Sequence, residues 1–498
     1  MYNAYITRIK NLHKHPNADR LQIGECFGNA VVVSMEYEDN QLGIYFPSDG
    51  KLSVEFAEAN NLLRKKDAEG NNIGGYMDPD KRNITAIRLR GEKSDGLFLP
   101  LKSLESFGDI ATLNEGDRID NFNGHLICEK YIPRTNRRSG GTSNGNKTRK
   151  KKVPIAPLFS EHADTEQLAY NLSAFKPGDE IEITLKMHGT SQRTGYLPVF
   201  KGYKRTLLDR ILRREGTPIY DWGYVSGTRR TVLEDFEGGY YGSNEFREAH
   251  SKFFEGKLNK NETVYYEVVG FTHTGTPIMS SCNNKKLNDK EFVKQYGEET
   301  VFSYGCEPNG LKECGCLQMS SGTINIGDIS LPVDDMKMYK RAPQSDIYVY
   351  RMTMTNEDGF TVEYTPDFMR YRCEQMGVKV VPTMWKGVIP DEETLNQLAF
   401  IPDDNGEFVE WVPTSAGEYI KDIAEQFYDG PDPIGKTHVC EGVVVRIINR
   451  PKFAAYKHKN WSFKALEGIV KVEAEAPDME EAQDTMQNDC GEEINVLS

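Results

Sequence analysis

Long apolar runs are missing from this chain. None approaches the roughly twenty residues that cross a bilayer as a helix, and the opening residues, MYNAYITRIKNLHKHPNADRL, lack the basic-then-apolar order of a secretory signal. Both absences predict a cytoplasmic protein without a membrane partner. Cysteine is sparse: nine among 498 residues, odd in number and scattered. That usage fits reduced thiols better than a disulfide framework. An overall positive charge is absent too. The formal net charge is −14, which argues against a whole surface that binds nucleic acid non-specifically. A repeated unit is not visible anywhere along the chain.

What is present is unevenly spread. Hydrophobic residues make up 38%, as in an ordinary globular protein, and the length allows roughly two to four domains. Residues 134–152, RTNRRSGGTSNGNKTRKKK, hold eight basic residues and no acidic one, whereas the 26 residues from Glu473 onward hold nine acidic residues and no basic one. The first stretch reads as a basic linker, 133–152, able to ride on a phosphate backbone. The second, 473–498, reads as an acidic, disordered tail.

Residues 1–132 read as a β-rich module. AVVVSMEYEDNQLGIYFPSDG suggests two strands around a turn at Glu38–Asn40, and AIRLRGEKSDGLFLPL two more around Ser94–Gly96. Short strands with turn signals suggest a small β-barrel. From 153 to 472 the pattern is mixed. EIEITLKM alternates Ile181, Ile183 and Leu185 with Glu182, Thr184 and Lys186, a half-buried strand with Lys186 on its polar face. ETVYYEVVG and HVCEGVVVRI are strand-like. YTPDFMRYRCEQMG is a helix with Thr365 as N-cap, Pro366 in first position and Gly377 as stop. KRTLLDRILRREG is predicted as a strongly basic helix, and SAGEYIKDIAEQFYDG as a third, capped by Ser415.

The chemistry concentrates around LKMHGTSQRTG. A lysine is a nucleophile only when its ammonium is deprotonated, which neighbouring cations, desolvation or a metal ion can bring about. Lys186 is followed by His188, by Gly189, which lets backbone pass close to a bound group, and by Arg193, a donor for phosphate or ribose oxygens. Further on, YVSGTRRT offers Arg229 beside a glycine and hydroxyls. Glu267 in VYYEVVG and Glu441 in CEGVVVR lie in β-branched runs, where a carboxylate is costly without a cation or donors. Lys457 and Lys459 share one face of a strand and would repel each other without an anion between them. Each motif alone has an ordinary reading as a surface pair or a satisfied core carboxylate; their succession is more telling.

That succession resembles the lysine nucleotidyltransferase superfamily of DNA ligases, RNA ligases and mRNA capping enzymes. Six blocks carry the resemblance over about 153–470: KMHGT, SGTRR, YYEVVG, DIYVYRM, EGVVVR and KHKNWSFK. In detail they look most like ATP-dependent RNA ligases of phage type. FSEHADTEQL resembles the segment near the adenine in such ligases, and HPNADRL resembles the signature of tRNA-binding-type OB folds. The implied fold is α+β: a small OB-like β-barrel that binds nucleic acid, then a nucleotidyltransferase (ATP-grasp-like ligase) core of antiparallel sheets with flanking helices. The implied activity joins RNA 3′-hydroxyl and 5′-phosphate ends, with a place in RNA repair and no obligate protein partner. The compartment would be the cytoplasm, that of the host if the chain is phage-encoded.

The resemblance also implies roles. Lys186 attacks the α-phosphate of ATP and becomes lysyl–AMP; AMP passes to the RNA 5′-phosphate; the 3′-hydroxyl displaces it. Lys457 and Lys459 hold the α-phosphate, and Glu267 and Glu441 hold Mg²⁺ or Mn²⁺. Thr165, Gln167, His188, Gly189, Arg193 and Arg229 line the ATP site, with Tyr348 or Tyr350 stacked on adenine. Lys204, Arg205, Arg213 and Arg214 are candidate RNA contacts. The superfamily's usual string is Lys-x-Asp-Gly, and here His188 takes the Asp position, which puts that residue's role in doubt. Residues 309–342 read as an insertion without an assigned role. Cys282, Cys306, Cys314 and Cys316 could bind zinc, but their irregular spacing favours ordinary thiols. Alternatives are a capping-type guanylyltransferase or a DNA ligase, which carry a second OB domain where this chain has an acidic tail, and a non-catalytic OB-fold RNA-binding protein.

Overall fold

The computed structural model describes residues 2–66, 72–132, 153–306 (apart from 164, 213, 215, 234–235, 237–240 and 242–243), 344–398 and 415–472, with short strands at Met319–Ser320, Thr323–Ile326 and Ile329–Pro332. The basic linker, the acidic tail, Arg213, Cys314, Cys316 and most of 309–342 lie outside the described residues. The chain forms two compact units. The first joins 1–134 to 282–300 and 459–477, and the second takes 135–281, 301–458 and 478–498. Antiparallel sheets with few helices make up both.

In the first unit, Ala4–Arg8 lies at the middle of a four-stranded antiparallel sheet, paired with Leu42–Phe46 on one side and Arg118–Ile119 on the other. Ile6, Ile44, Phe46, Phe56 and Leu104 fill its core. Asn29–Ser34 is a strand as expected, but it pairs in a separate ribbon with Leu21–Cys26 rather than beside Leu42–Phe46. The second expected turn is also displaced. Ala86–Leu89 and Glu92–Asp95 form a hairpin around Arg90 and Gly91, both with positive φ (49° and 98°), as a tight two-residue hairpin turn requires. HPNADRL has a structural task here. Buried His15 accepts the Asn17 N–H at Nδ1 and reaches the Leu89 carbonyl with Nε2 at 3.0 Å, tying this turn to the hairpin. Cys282–Thr300 and the helix Trp461–Val472 complete the unit: Lys464 Nζ bonds Asp95 Oδ2 at 2.6 Å, and Arg88 pairs with Asp289.

The second unit holds, in chain order, β1 (Glu180–Leu185), β2 (Thr190–Lys204), β3 (Thr217–Gly227), α1 (Glu245–Phe253), β4 (Glu262–Gly270), β5 (Ser345–Thr355), α2 (Pro366–Met376), β6 (Thr383–Val388), α3 (Ala416–Glu425), β7 (Gly442–Ile447) and β8 (Ala454–Lys459), the last residue of β8 counting with the first unit. One sheet runs in the order Glu166–Gln167, β8, β7, β1, β6; the other centres on β3, β2, β4 and β5. The alternation read in β1 holds for its apolar half, since Ile181, Ile183 and Leu185 are all buried, the first two in one core with Ile420 and Ala424 of α3. Its polar half is covered too: buried Glu182 pairs with Arg370 and accepts the Thr383 hydroxyl at 2.7 Å. The helix α2 begins on Thr365, whose side chain accepts the Phe368 N–H, and stops at left-handed Gly377. Ser415 and Glu418 close a capping box on α3. The basic helix is the exception. Among the described residues only Leu207–Ile211 is helical, and Leu207, Leu208 and Ile211 are 76%, 68% and 68% exposed. A short helix without an apolar surface to cover has little to extend it.

Candidate active site

The second sheet presents two unlike faces. Val264, Tyr266, Val268, Val349 and Met352 point into an apolar core shared with α1 and α2. The opposite face carries a cross-strand row, Ser191–Glu267–Tyr348, and a second, Arg193–Tyr265–Arg351. A register shift between Tyr265 and Tyr266 brings Tyr350 to the same face, where its hydroxyl lies 2.8 Å from Ser191 Oγ.

Lys186 leaves β1 toward this face. Its N–H bonds the Gly442 carbonyl at 2.9 Å, and its Nζ lies 2.7 Å from Oε1 of Glu441, whose side chain is 1% exposed. His188 Nδ1 is 3.7 Å from the other Glu441 oxygen. The next residue explains a glycine. A Cβ on Gly189 would stand 2.4 Å from the Val268 carbonyl oxygen and 2.9 Å from Glu267 Cγ, closer than packed atoms come. So the lysine loop, Glu441 and Glu267 meet in one place, drawn from three strands remote in sequence. The donors here, two carboxylates and an imidazole, are of the kind that a divalent ion accepts.

Beside them is a cationic, aromatic cluster. The His162 ring stands 5.1 Å from the Tyr350 ring and 5.6 Å from that of Tyr265, and its Nδ1 is 3.3 Å from Arg351. Desolvation pushes the imidazole well below its usual pKa, and Arg351, Arg229 and Arg193 add to this, so the ring is neutral. Arg351 donates to both Glu363 oxygens and lies over Tyr265 and Phe453, and Arg446 shares Glu363 at 3.6 Å. His162, Arg351, Arg446 and Phe453 were not picked out from the sequence. Yet FSEHADTEQL, DIYVYRM and EGVVVR hold the first three, so the blocks pointed to them without naming them.

Other candidates are placed less as expected. Arg193 is buried and donates to the backbone carbonyls of Ser160, Arg229 and Arg230. It braces two loops rather than presenting an open fork to a ligand. Arg229 contributes its carbonyl to the His162 N–H and its charge to that ring. Tyr348 is buried with Lys379 near its ring. Gln167 pairs in parallel with Lys457 on β8, and Thr165 is half-buried just before it. Lys457 and Lys459 are half-buried, alternating with buried His458, which stacks on Tyr428. Lys459 belongs to the first unit, where its ammonium is paired with Glu467 at 2.8 Å. Lys204, Arg205 and Arg214 are exposed near the tip of the β2–β3 hairpin. Burial pushes the thiols of Cys282 and Cys306 up to about 12, the behaviour of inert buried cysteines.

No family model matches the chain, and no curated protein does. Among solved structures it is similar to the RNA ligase of Naegleria gruberi. A lysine-to-alanine variant of that ligase with ATP and Mn is 15% identical, with 94% of this chain and 99% of that chain covered at a TM-score of 0.47. The same ligase with PPi is 16% identical, with 92% and 96% covered at 0.46. A glutamate-to-alanine variant with AMP and Mn is 14% identical, with 93% and 97% covered at 0.47. At a TM-score below 0.5 the likeness decides nothing about the chemistry of this chain, which rests on the residues and distances above.

Proposed function

We propose that this chain is an ATP-dependent RNA ligase that joins 3′-hydroxyl and 5′-phosphate RNA ends through a lysyl–AMP intermediate. The observation that carries the reading is the convergence of Lys186 Nζ on Glu441 at 2.7 Å with Gly189 set flush against Glu267. A lysine attacks a phosphate only as the free amine. In the present state Glu441 holds the Lys186 ammonium; a divalent ion drawn to Glu441 and Glu267 would take that carboxylate from Lys186, and its charge would lower the ammonium pKa so that the proton leaves to solvent. When bound, such an ion stabilises the negative charge that builds on the non-bridging phosphate oxygens. Lys186 then attacks the α-phosphorus, the bond to the bridging oxygen breaks and pyrophosphate leaves. AMP passes to the RNA 5′-phosphate oxygen, which frees Lys186, and the 3′-hydroxyl finally displaces AMP.

Neutral His162, Tyr350 and Tyr348 offer π-faces and hydrogen-bonding groups suited to adenine and ribose; Gln167 and Thr165, at the edge of the first sheet beside β8, are kept as further candidates. Lys457, in register with Gln167 on β8, is taken as a cation for the α-phosphate. Residues 1–132 are taken as the OB-like, RNA-binding module, and the exposed Lys204, Arg205 and Arg214 as contacts to the RNA backbone.

Incubation with α-labelled ATP and Mg²⁺ should leave label on the protein through a denaturing gel. Lys186→Ala should take none, yet still seal pre-adenylylated RNA without ATP. Label carried by a different lysine, or retained in Lys186→Ala, would overturn the reading. Label from GTP in place of ATP would instead favour a capping enzyme.

A further inference from the structure

Tyr304 belongs to none of the six blocks, yet it touches the lysine loop. Its hydroxyl oxygen accepts the backbone N–H of His188 at 2.6 Å. The residue is 3% exposed and its φ is +49°, a left-handed conformation that costs a bulky residue about 1–2 kcal/mol. A strained, buried aromatic persists only where its surroundings over-determine it, and here they can be named. The His438 ring meets the Tyr304 ring edge-on, with centroids 4.7 Å apart. Phe302 packs against both His188 (4.6 Å) and His438 (5.3 Å).

His438 is itself fixed by the loop that leads into Glu441. Pro431 bridges to Val439. The Asp432 N–H bonds the His438 carbonyl at 2.9 Å, and Asp432 Oδ1 accepts the N–H groups of Ile434 and Gly435, both at 2.8 Å. His438 Nδ1 lies 3.1 Å from the Val439 carbonyl, and Gly435 makes room for the ring, since a Cβ there would stand 2.1 Å from Nε2. The segment that ends in Glu441 and the segment that carries Lys186 therefore share one reference point. Burial, with Asp432 next, pushes the Tyr304 hydroxyl well above its ordinary pKa, so it stays protonated and neutral.

We infer that Tyr304 is a positioning residue: through the His188 main chain it sets where Lys186 Nζ stands relative to Glu441. This rests on the ligase reading of the Lys186 site. Misplacing a nucleophile by about 1 Å can cost on the order of 100-fold, and only the step in which Lys186 attacks would feel it.

The test is Tyr304→Phe, which removes one oxygen and keeps the ring. Labelling by ATP at saturating ATP and Mg²⁺ should slow by about tenfold or more, with KM for ATP and the sealing of pre-adenylylated RNA both within about twofold of the parent. Exchange of the His188 amide with deuterated solvent should quicken. Labelling at the parent rate would overturn the inference, as would an equal loss of labelling and sealing. Should Tyr304→Phe fold poorly, Gly435→Ala, which displaces His438 from Tyr304, must show the same split between the two activities; an equal loss there overturns the inference too. The ligase reading fails separately, if the parent protein takes no label or Lys186→Ala keeps it. Amide exchange at His188 then still decides the point alone: a rate unchanged in Tyr304→Phe overturns it.

Discussion

Single residues at this site are legible only through their partners. A carboxylate as buried as Glu441 must be neutralised, and Lys186 at 2.7 Å does this in the present state. Glu267 faces the same loop across Gly189. If both bind the divalent ion, replacing either by glutamine keeps its shape and removes the charge the ion needs. Labelling of Glu267→Gln by ATP is expected to fall about 100-fold at low Mg²⁺ and to recover in part as Mg²⁺ or Mn²⁺ is raised. Glu441→Gln should fall further, because it also takes the carboxylate from Lys186. Parent rates for either variant across a metal titration would remove that residue from the ligand set. His188 departs from the superfamily's aspartate, and its place beside Glu441 and Phe302 suits a packed imidazole as well as a ligand.

At the scale of elements, the β4 strand and the α2 helix are joined by a buried ion pair. Glu262 opens β4, and Arg372 of α2 donates to its two oxygens at 2.9 and 2.8 Å, with the Tyr364 hydroxyl and the Asn259 N–H on the same carboxylate. Burial alone would push the Glu262 pKa up, but Arg372 and Asn259 outweigh it and the carboxyl titrates below its ordinary range. A carboxyl depressed in the folded state adds stability above its unfolded pKa, and that contribution is lost as pH falls through the folded value. Glu262→Gln leaves Arg372 buried without a counter-charge and should cost about 3–5 kcal/mol at neutral pH. The deficit should shrink below about pH 4, as the parent loses the same pair. Thermal unfolding of both proteins from neutral to acid pH checks it: a deficit that stays constant on acidification would show that the charge is not what matters.

At the scale of the whole molecule, chain order and spatial units do not coincide. The first unit is finished by Cys282–Thr300 and by the helix after β8, where Phe463 and Leu466 are each 1% exposed and Phe292 is buried. Removing residues 1–132 would strip these segments of the surface they cover, so the remaining chain is expected to aggregate or to melt well below the parent. Soluble yield and Tm measure this. A truncated chain that stays soluble with an undiminished Tm would mean the segments do not depend on that surface.

Local signals in the sequence were enough for much of this. The alternation of Ile181, Ile183 and Leu185, the Thr365 and Ser415 caps and the Gly377 stop are short-range physics, set by steric and hydrogen-bonding preferences within a few residues, and the structure follows them. The run of blocks from Lys186 to Lys459 was legible for the same reason, since each is a short string on one strand or loop. What the sequence could not decide is which buried groups satisfy one another. Arg193 became a brace, Lys459 took Glu467, the Arg90–Gly91 hairpin displaced the expected turn, and the predicted basic helix is helical, among the described residues, over Leu207–Ile211. His162, Arg351 and Tyr304 acquired their surroundings only when remote strands were brought into register. Such outcomes depend on desolvation and on contacts between segments far apart in the chain, and only the tertiary structure sets those.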